Sequence, residues 1–324
     1  RFLHRSRGLG DVYKRQARDY ARADELKSRI EAAGWRVVDD GPAFRLHPAR
    51  ADDLDEDGET IYGAVDSVPR RADVPADLRS SLVTVAGAID PSPALRAVAA
   101  HRPGGTEIVV VAPRTMAAPD PADIVVRTVE PWTGGDALEA AVRAAGGEIL
   151  VALASDRLPR GDVISPLVQA LADPGVAIAA ADGLTSTDLH RFRTVDAADV
   201  TTVASGCYAF RRVDVLARGP IDGRLRTDRG VAIWLGLLLR DEGPGRAPRR
   251  AVRLELPLRS APEPATEGEQ GRAARRDSYR ISDRFRDHAW LRGDEPPEGH
   301  LVGDGAGHDH DGQDPHEATH TGET

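Results

Sequence analysis

The chain is predicted to fold as an α/β domain in which helices cover both faces of a mostly parallel sheet. Three observations predict this. Between Ser81 and Leu258, short apolar runs rich in β-branched residues recur. The runs are apolar at nearly every position rather than at alternate ones, as expected of strands buried on both faces. Alanine-rich amphipathic stretches separate them, the pattern of strand-helix-strand units.

The strands are "SLVTVAGA", "TEIVVVAP", "ADIVVRTVE", "GEILVALAS" and "GVAIAAAD". Helices are expected near Pro93 to Ala100, Asp136 to Ala145 and Gly161 to Ala172, the last carrying Pro166 in its first turn, where proline is tolerated. "TTVASGCYAFRR" reads as one further strand and "RVDVLARG" as a helix. "GVAIWLGLLLRDEG" reads as a strongly apolar helix stopped at Gly243, and "RAVRLELPL" as the last strand.

Outside this region the texture changes. The chain opens on Arg1, and "SRGLGDVYKRQ" fits the codons of a transposon-end adapter, so residues 1–16 are read as translated library sequence. Residues 17–48 read as a helix and β-hairpin: Tyr20, Ala23, Leu26 and Ile30 share a face, Glu25 precedes Arg29 by one turn, Gly34 ends the helix, and "WRVVDD" returns through "DDGP" into "AFRLHP". Residues 49–78 are acidic and proline-spotted, a linker broken by one short edge strand in "ETIYGAVD". The α/β domain is assigned to residues 79–260. Residues 261–292 form a linker and a basic helix whose Tyr279, Ile281 and Phe285 offer a docking edge. Residues 293–324 are rich in Gly, Asp, His and Glu with almost no apolar side chains, so they are expected to be disordered.

Composition narrows the function classes. The formal net charge is -9, with Lys14 and Lys27 the only lysines, so no general attraction to phosphate backbones and no nucleic-acid partner is expected. The single cysteine, Cys207, excludes an internal disulfide framework and reads as buried packing. No apolar run approaches the roughly 18 residues of a membrane span, and a cytoplasmic location is the default expectation. The arginines of "RAPRR" and "RAARR" read as solvated. His300, His308, His310, His316 and His320 lack a preformed geometry for metal.

The order of elements from Ser81 to Leu258, ending in "VASGCYAFRR", "GPIDGRLRTDRGVAIWLGLLLRDEG" and "RAVRLELPL", resembles the GT-A fold of family-2 glycosyltransferases. The resemblance implies inverting transfer of a sugar from a nucleotide-sugar donor, with a divalent cation, Mn or Mg, neutralising the diphosphate leaving group. It lays the donor-binding acidic position onto Ala112, which carries no carboxylate. It lays the family's Asp-x-Asp onto Ala154-Ser155-Asp156, which makes Ser155 and Asp156 donor-binding candidates and Asp156 the metal candidate. The catalytic-base position falls in "TDRGVAIW", where Asp228 is the candidate. These incomplete motifs leave a second reading open, a non-catalytic binding or scaffolding protein on the same frame. Residues 17–46, "ARDYARADELKSRIEAAGWRVVDDGPAFRL", resemble the C-terminal tail of cysteinyl-tRNA synthetases, without any of the catalytic parts.

Overall fold

A computed structural model describes residues 33–40, 43–48, 50–71, 78–87, 89–260 and 269–293, together with Arg22, Leu26, Arg29 and Ile30. The adapter-like segment, most of the first helix and the histidine-rich tail lie outside the described residues. The expected hairpin forms from β1 (Trp35–Asp40) and β2 (Ala43–Pro48), paired antiparallel.

The acidic stretch that follows holds a second hairpin, β3 (Leu54–Glu56) and β4 (Glu59–Ile61), rather than one edge strand. It does not behave as a free linker. Tyr62 donates its N–H to Arg127 O at 2.8 Å and accepts from Val129 N at 3.0 Å, which extends the sheet edge. Val65 and Val68 are buried in the main core. Ile61 is buried as well, and Arg143 donates to Val68 O at 3.0 Å and Asp66 O at 2.8 Å, so a few contacts dock a segment whose composition is otherwise polar.

The α/β unit begins with β5 (Leu78–Val85) and α1 (Ser92–Ala99), then β6 (Thr106–Pro113) and β7 (Ile124–Thr128). It continues through α2 (Gly134–Ala144), β8 (Gly147–Leu153), β9 (Arg157–Pro159), α3 (Ile164–Ala170) and β10 (Val176–Ala180). A small antiparallel sheet follows from β11 (Gly183–Thr185), β12 (Arg193–Val195) and, after β13 (Asp199–Val200), β14 (Thr202–Val203). The chain closes with β15 (Cys207–Arg211), α4 (Arg212–Arg218), α5 (Asp228–Arg240), β16 (Arg250–Arg253), β17 (Leu258–Ser260) and α6 (Glu269–Phe285).

The large sheet has eight strands in the order β13-β16-β10-β15-β8-β5-β6-β7. β8, β5, β6 and β7 are mutually parallel, as are β10 and β16, whereas β15 runs antiparallel between β10 and β8. The expectation of a mostly parallel sheet with helices on both faces therefore holds. One core packs α2, α5 and α6 against one face, and a second packs α1 and α3 against the other. β6 is buried at all eight positions, as its unbroken apolar run requires. At the amino-terminal end of β6, the buried Glu107 carboxylate accepts from Ser81 Oγ at 2.7 Å, Gly146 N at 2.5 Å and Arg71 Nη1 at 2.8 Å, so both of its oxygens are bonded.

Two boundaries and one docking residue differ from the sequence expectation. "TTVASGCYAFRR" splits into β14 and β15, which belong to different sheets, because Gly206 adopts φ +122° and turns the chain between them. "RAVRLELPL" likewise divides: β16 stays in the large sheet, while β17 pairs with β9. In α6, Ile281 and Phe285 dock as expected, but Tyr279 is 71% exposed, because it lies off the face that those two share.

Candidate active site

The carboxyl ends of parallel strands are where open α/β sheets gather ligands, since the loops there are free to vary without breaking the sheet. Here β5 and β8 end side by side, and side chains tie their ends together. Ser155 Oγ donates to Val85 O at 3.0 Å, and Thr84 Oγ1 donates to Leu153 O at 3.1 Å. Ala154 N donates to Gly206 O at 2.8 Å, which fixes the same loop to the start of β15. Residues 154–157 are thus held from both sides.

A cavity of about 40 Å³ opens at this junction, lined by Val85, Ala154, Ser205, Gly206, Tyr208 and Asp228 among others. That is room for about three water molecules. Asp228 enters it from the first turn of α5, whose N-cap is Thr227; the Thr227 hydroxyl oxygen accepts from Gly230 N at 3.0 Å. The cavity mouth leaves the Asp228 side chain reachable by solvent. Protein atoms nevertheless surround its carboxyl, and this crowding, followed by the like charge of Asp156, raises its pKa above the ordinary aspartate value. Two residues that lie 72 positions apart in sequence, Asp156 after β8 and Asp228 at the start of α5, are thereby brought within electrostatic reach of one another.

Tyr208, on β15, completes the floor. Its hydroxyl is driven above the usual tyrosine value, first by burial and then by the Asp228 charge, so it stays protonated at any physiological pH. Beside it, Asp182 and Arg157 pair at 3.3 Å, with both side chains partly exposed. Neither Tyr208 nor this pair stood out in the sequence. Tyr208 lay in an apolar run, and an ion pair across two loops leaves no local spacing to detect.

The other candidates are placed as follows. Asp156 is half-buried in the loop after β8, outside the set of residues that line the cavity. Ser155 spends its hydroxyl on Val85 O, so its role in the structure is to join the two loops. Ala112 is 0% exposed in β6 and packs in the core on the α1 face, where its methyl has no surface to offer a donor. Cys207 is buried beneath Arg157 and Asp182, and burial pushes its thiol up to about 12. Since the thiolate is the reactive form, Cys207 is expected to resist a thiol reagent such as Ellman's in the native protein. It should react fully in denaturant; fast native labelling would refute the buried placement.

A divalent cation of the magnesium or manganese type needs hard oxygen donors. Among the described residues no cluster of three His, Cys, Asp or Glu forms. What fits is the Asp156–Asp228 proximity, because each anion disfavours the other and a bound cation relieves that repulsion. Such cations keep several positions for water and substrate phosphate rather than taking a full protein cage, so a small protein donor set suits them.

No protein-family model and no curated protein matches the sequence significantly. Solved structures do match. GalNAc-T7, crystallised with UDP, GalNAc and Mn2+, superposes with a TM-score of 0.51 at 14% identity, covering 65% of this chain and 49% of its own. A mannosyltransferase from Pyrobaculum calidifontis, in complex with GDP-Man and Mn2+, gives a TM-score of 0.48 at 19% identity over 68% of this chain and 74% of its own. Glucosyl-3-phosphoglycerate synthase from Mycobacterium tuberculosis, with Mn2+, UDP-glucose and phosphoglyceric acid, gives 0.42 at 16% identity over 68% and 82%. The chain spans about half the length of GalNAc-T7. The sheet order, the antiparallel strand set into a parallel sheet and the first of these superpositions together give one result: the α/β fold is that of the GT-A glycosyltransferases.

Proposed function

We propose that the protein transfers a sugar, with inversion, from a nucleoside-diphosphate donor to a hydroxyl acceptor. The observation that carries this is Asp228 lining the cavity at the carboxyl ends of β5 and β8, with Asp156 close enough for its charge to act on it. In this reading Asp228 takes the proton from the acceptor hydroxyl. The hydroxyl oxygen bonds to the anomeric carbon, the bond from that carbon to the phosphate oxygen breaks, and its electron pair leaves with the diphosphate. One displacement inverts the centre. A raised pKa suits a general base, since efficiency is greatest when the pKa lies near the working pH. Asp156 would hold the divalent cation, which supplies charge neutralisation for the diphosphate. Arg157, the next residue in the chain, is paired with Asp182 at 3.3 Å.

A second reading, a non-catalytic binder on the same frame, draws support from the small cavity and from Ala112 and Ala154 at positions where the resemblance leads one to expect carboxylates. Calorimetric titration with UDP- and GDP-sugars, with and without Mn2+, separates the two. The transferase reading expects binding that needs the cation and weakens roughly 100-fold in Asp156→Ala, a loss near 2.7 kcal/mol. Binding indifferent to both the cation and Asp156 would favour the scaffold.

A further inference from the structure

The basic helix α6 offers a docking edge in the sequence, and in the fold one of its side chains also reaches the loop that carries Asp228. Asp277 is only 1% exposed. Its carboxylate accepts from Arg226 N at 3.0 Å, Thr227 N at 2.8 Å and Thr227 Oγ1 at 2.7 Å. Thr227 Oγ1 in turn accepts from Gly230 N at 3.0 Å, so a continuous chain of bonds runs from α6 into the first turn of α5. Gly230 is part of the fit: a Cβ there would stand 2.4 Å from Asp277 Oδ2. The carboxylate also lies at the N-terminal end of α5, where the helix dipole favours negative charge, and bonds to an ionised acceptor are stronger than neutral ones. Farther along α6, Ile281 and Phe285 anchor the helix in the core on the same face.

We propose that Asp277 is the positioning residue of the candidate active site, holding residues 226–230 in the one conformation that presents Asp228 to the cleft. This rests on the reading of Asp228 as the base. A generic structural contact would stabilise the fold without acting on that loop in particular, and the difference is measurable in the full chain.

Amide hydrogen exchange should be followed by NMR in Asp277→Asn and, for comparison, in Phe285→Leu, which loosens α6 through a different contact. In Asp277→Asn the protection of the Arg226, Thr227 and Gly230 amides is expected to fall at least tenfold while that of residues 231–240 is kept. In Phe285→Leu the loss should spread along α5 and α6. Loop amides that stay protected in Asp277→Asn, or that lose protection no more than the rest of α5, would overturn the proposal. Should Asp277→Asn not fold, Thr227→Val removes the hydroxyl's bond to Asp277 and the cap bond from Gly230 N, so only the Arg226 and Thr227 amides are read there: kept protection would support the remaining Asp277 bonds as the hold on the loop, and lost protection would overturn it. Donor hydrolysis adds a second readout: Asp277→Asn should lower kcat with donor affinity unchanged, and a parallel loss of both would count against positioning. If Asp228→Asn hydrolyses donor as fast as the parent, the base reading fails, while the exchange data still judge Asp277.

Discussion

Asp228→Asn is expected to lower the transfer rate by about 10²–10⁴-fold, the usual contribution of a positioned general base, while donor affinity changes little. Asparagine keeps the size of the side chain and cannot take a proton. The pH profile carries a further expectation. Crowding by protein, the larger cause and one that persists when a cation offsets the Asp156 charge, raises the Asp228 pKa, so the acidic limb of the parent's rate profile should fall at a pH above the ordinary aspartate value of about 3.9, and this limb should vanish in the variant. Stability should move the opposite way. A carboxyl whose pKa is higher in the fold than in the unfolded chain stabilises the fold while protonated, and that contribution is lost as pH rises through the raised value. At neutral pH the parent therefore holds a strained carboxylate, and Asp228→Asn should unfold at an equal or higher temperature. A variant that is slow but no less stable is the pattern of a site that trades stability for chemistry. A variant that is both unstable and slow would place Asp228 among structural residues.

Phe285→Ala should cost about 3–5 kcal/mol, the range for deleting a fully buried phenylalanine. Phe285 is 0% exposed and belongs to the main core, with His288 edge-on at 5.4 Å between ring centroids and the Arg284 guanidinium 5.5 Å from its ring centre. Against a total stability of about 5–15 kcal/mol, such a loss is large enough to read directly in a urea titration. A cost below about 1 kcal/mol would mean that α6 rests on the domain without completing it.

Most of the sheet was legible because its strands carry the signal locally: "TEIVVVAP" is apolar throughout and is buried throughout. The apolar helix α5 was legible for the same reason. What escaped was decided by few residues in polar surroundings. Residues 49–78 read as a linker because few of their apolar residues are buried, chiefly Ile61, Val65 and Val68 among those described. In α6, arginines dominate the composition, and its place in the core depends on Ile281 and Phe285. Asp277 had one visible mark, since it precedes Ile281 by four and Phe285 by eight, which puts a lone carboxylate in line with the apolar stripe. Asp156 and Asp228 were each found by resemblance to a known family. Their proximity is a product of the fold, as is the sealing of Ala112, and no spacing within the sequence encodes either.

The docking of α6 also bears on how the protein is made. Ile281, Phe285 and Leu291 fill the face of the core to which α2 and α5 contribute from earlier in the chain. As the polypeptide leaves the ribosome at about 5–20 residues per second, the sheet and its first helices emerge with that face uncovered. It stays so until the last of these three side chains clears the exit tunnel. During synthesis, then, the apolar surface of α5 is a transient adhesive patch, and the late arrival of α6 sets the moment at which the nascent chain becomes safe from its neighbours.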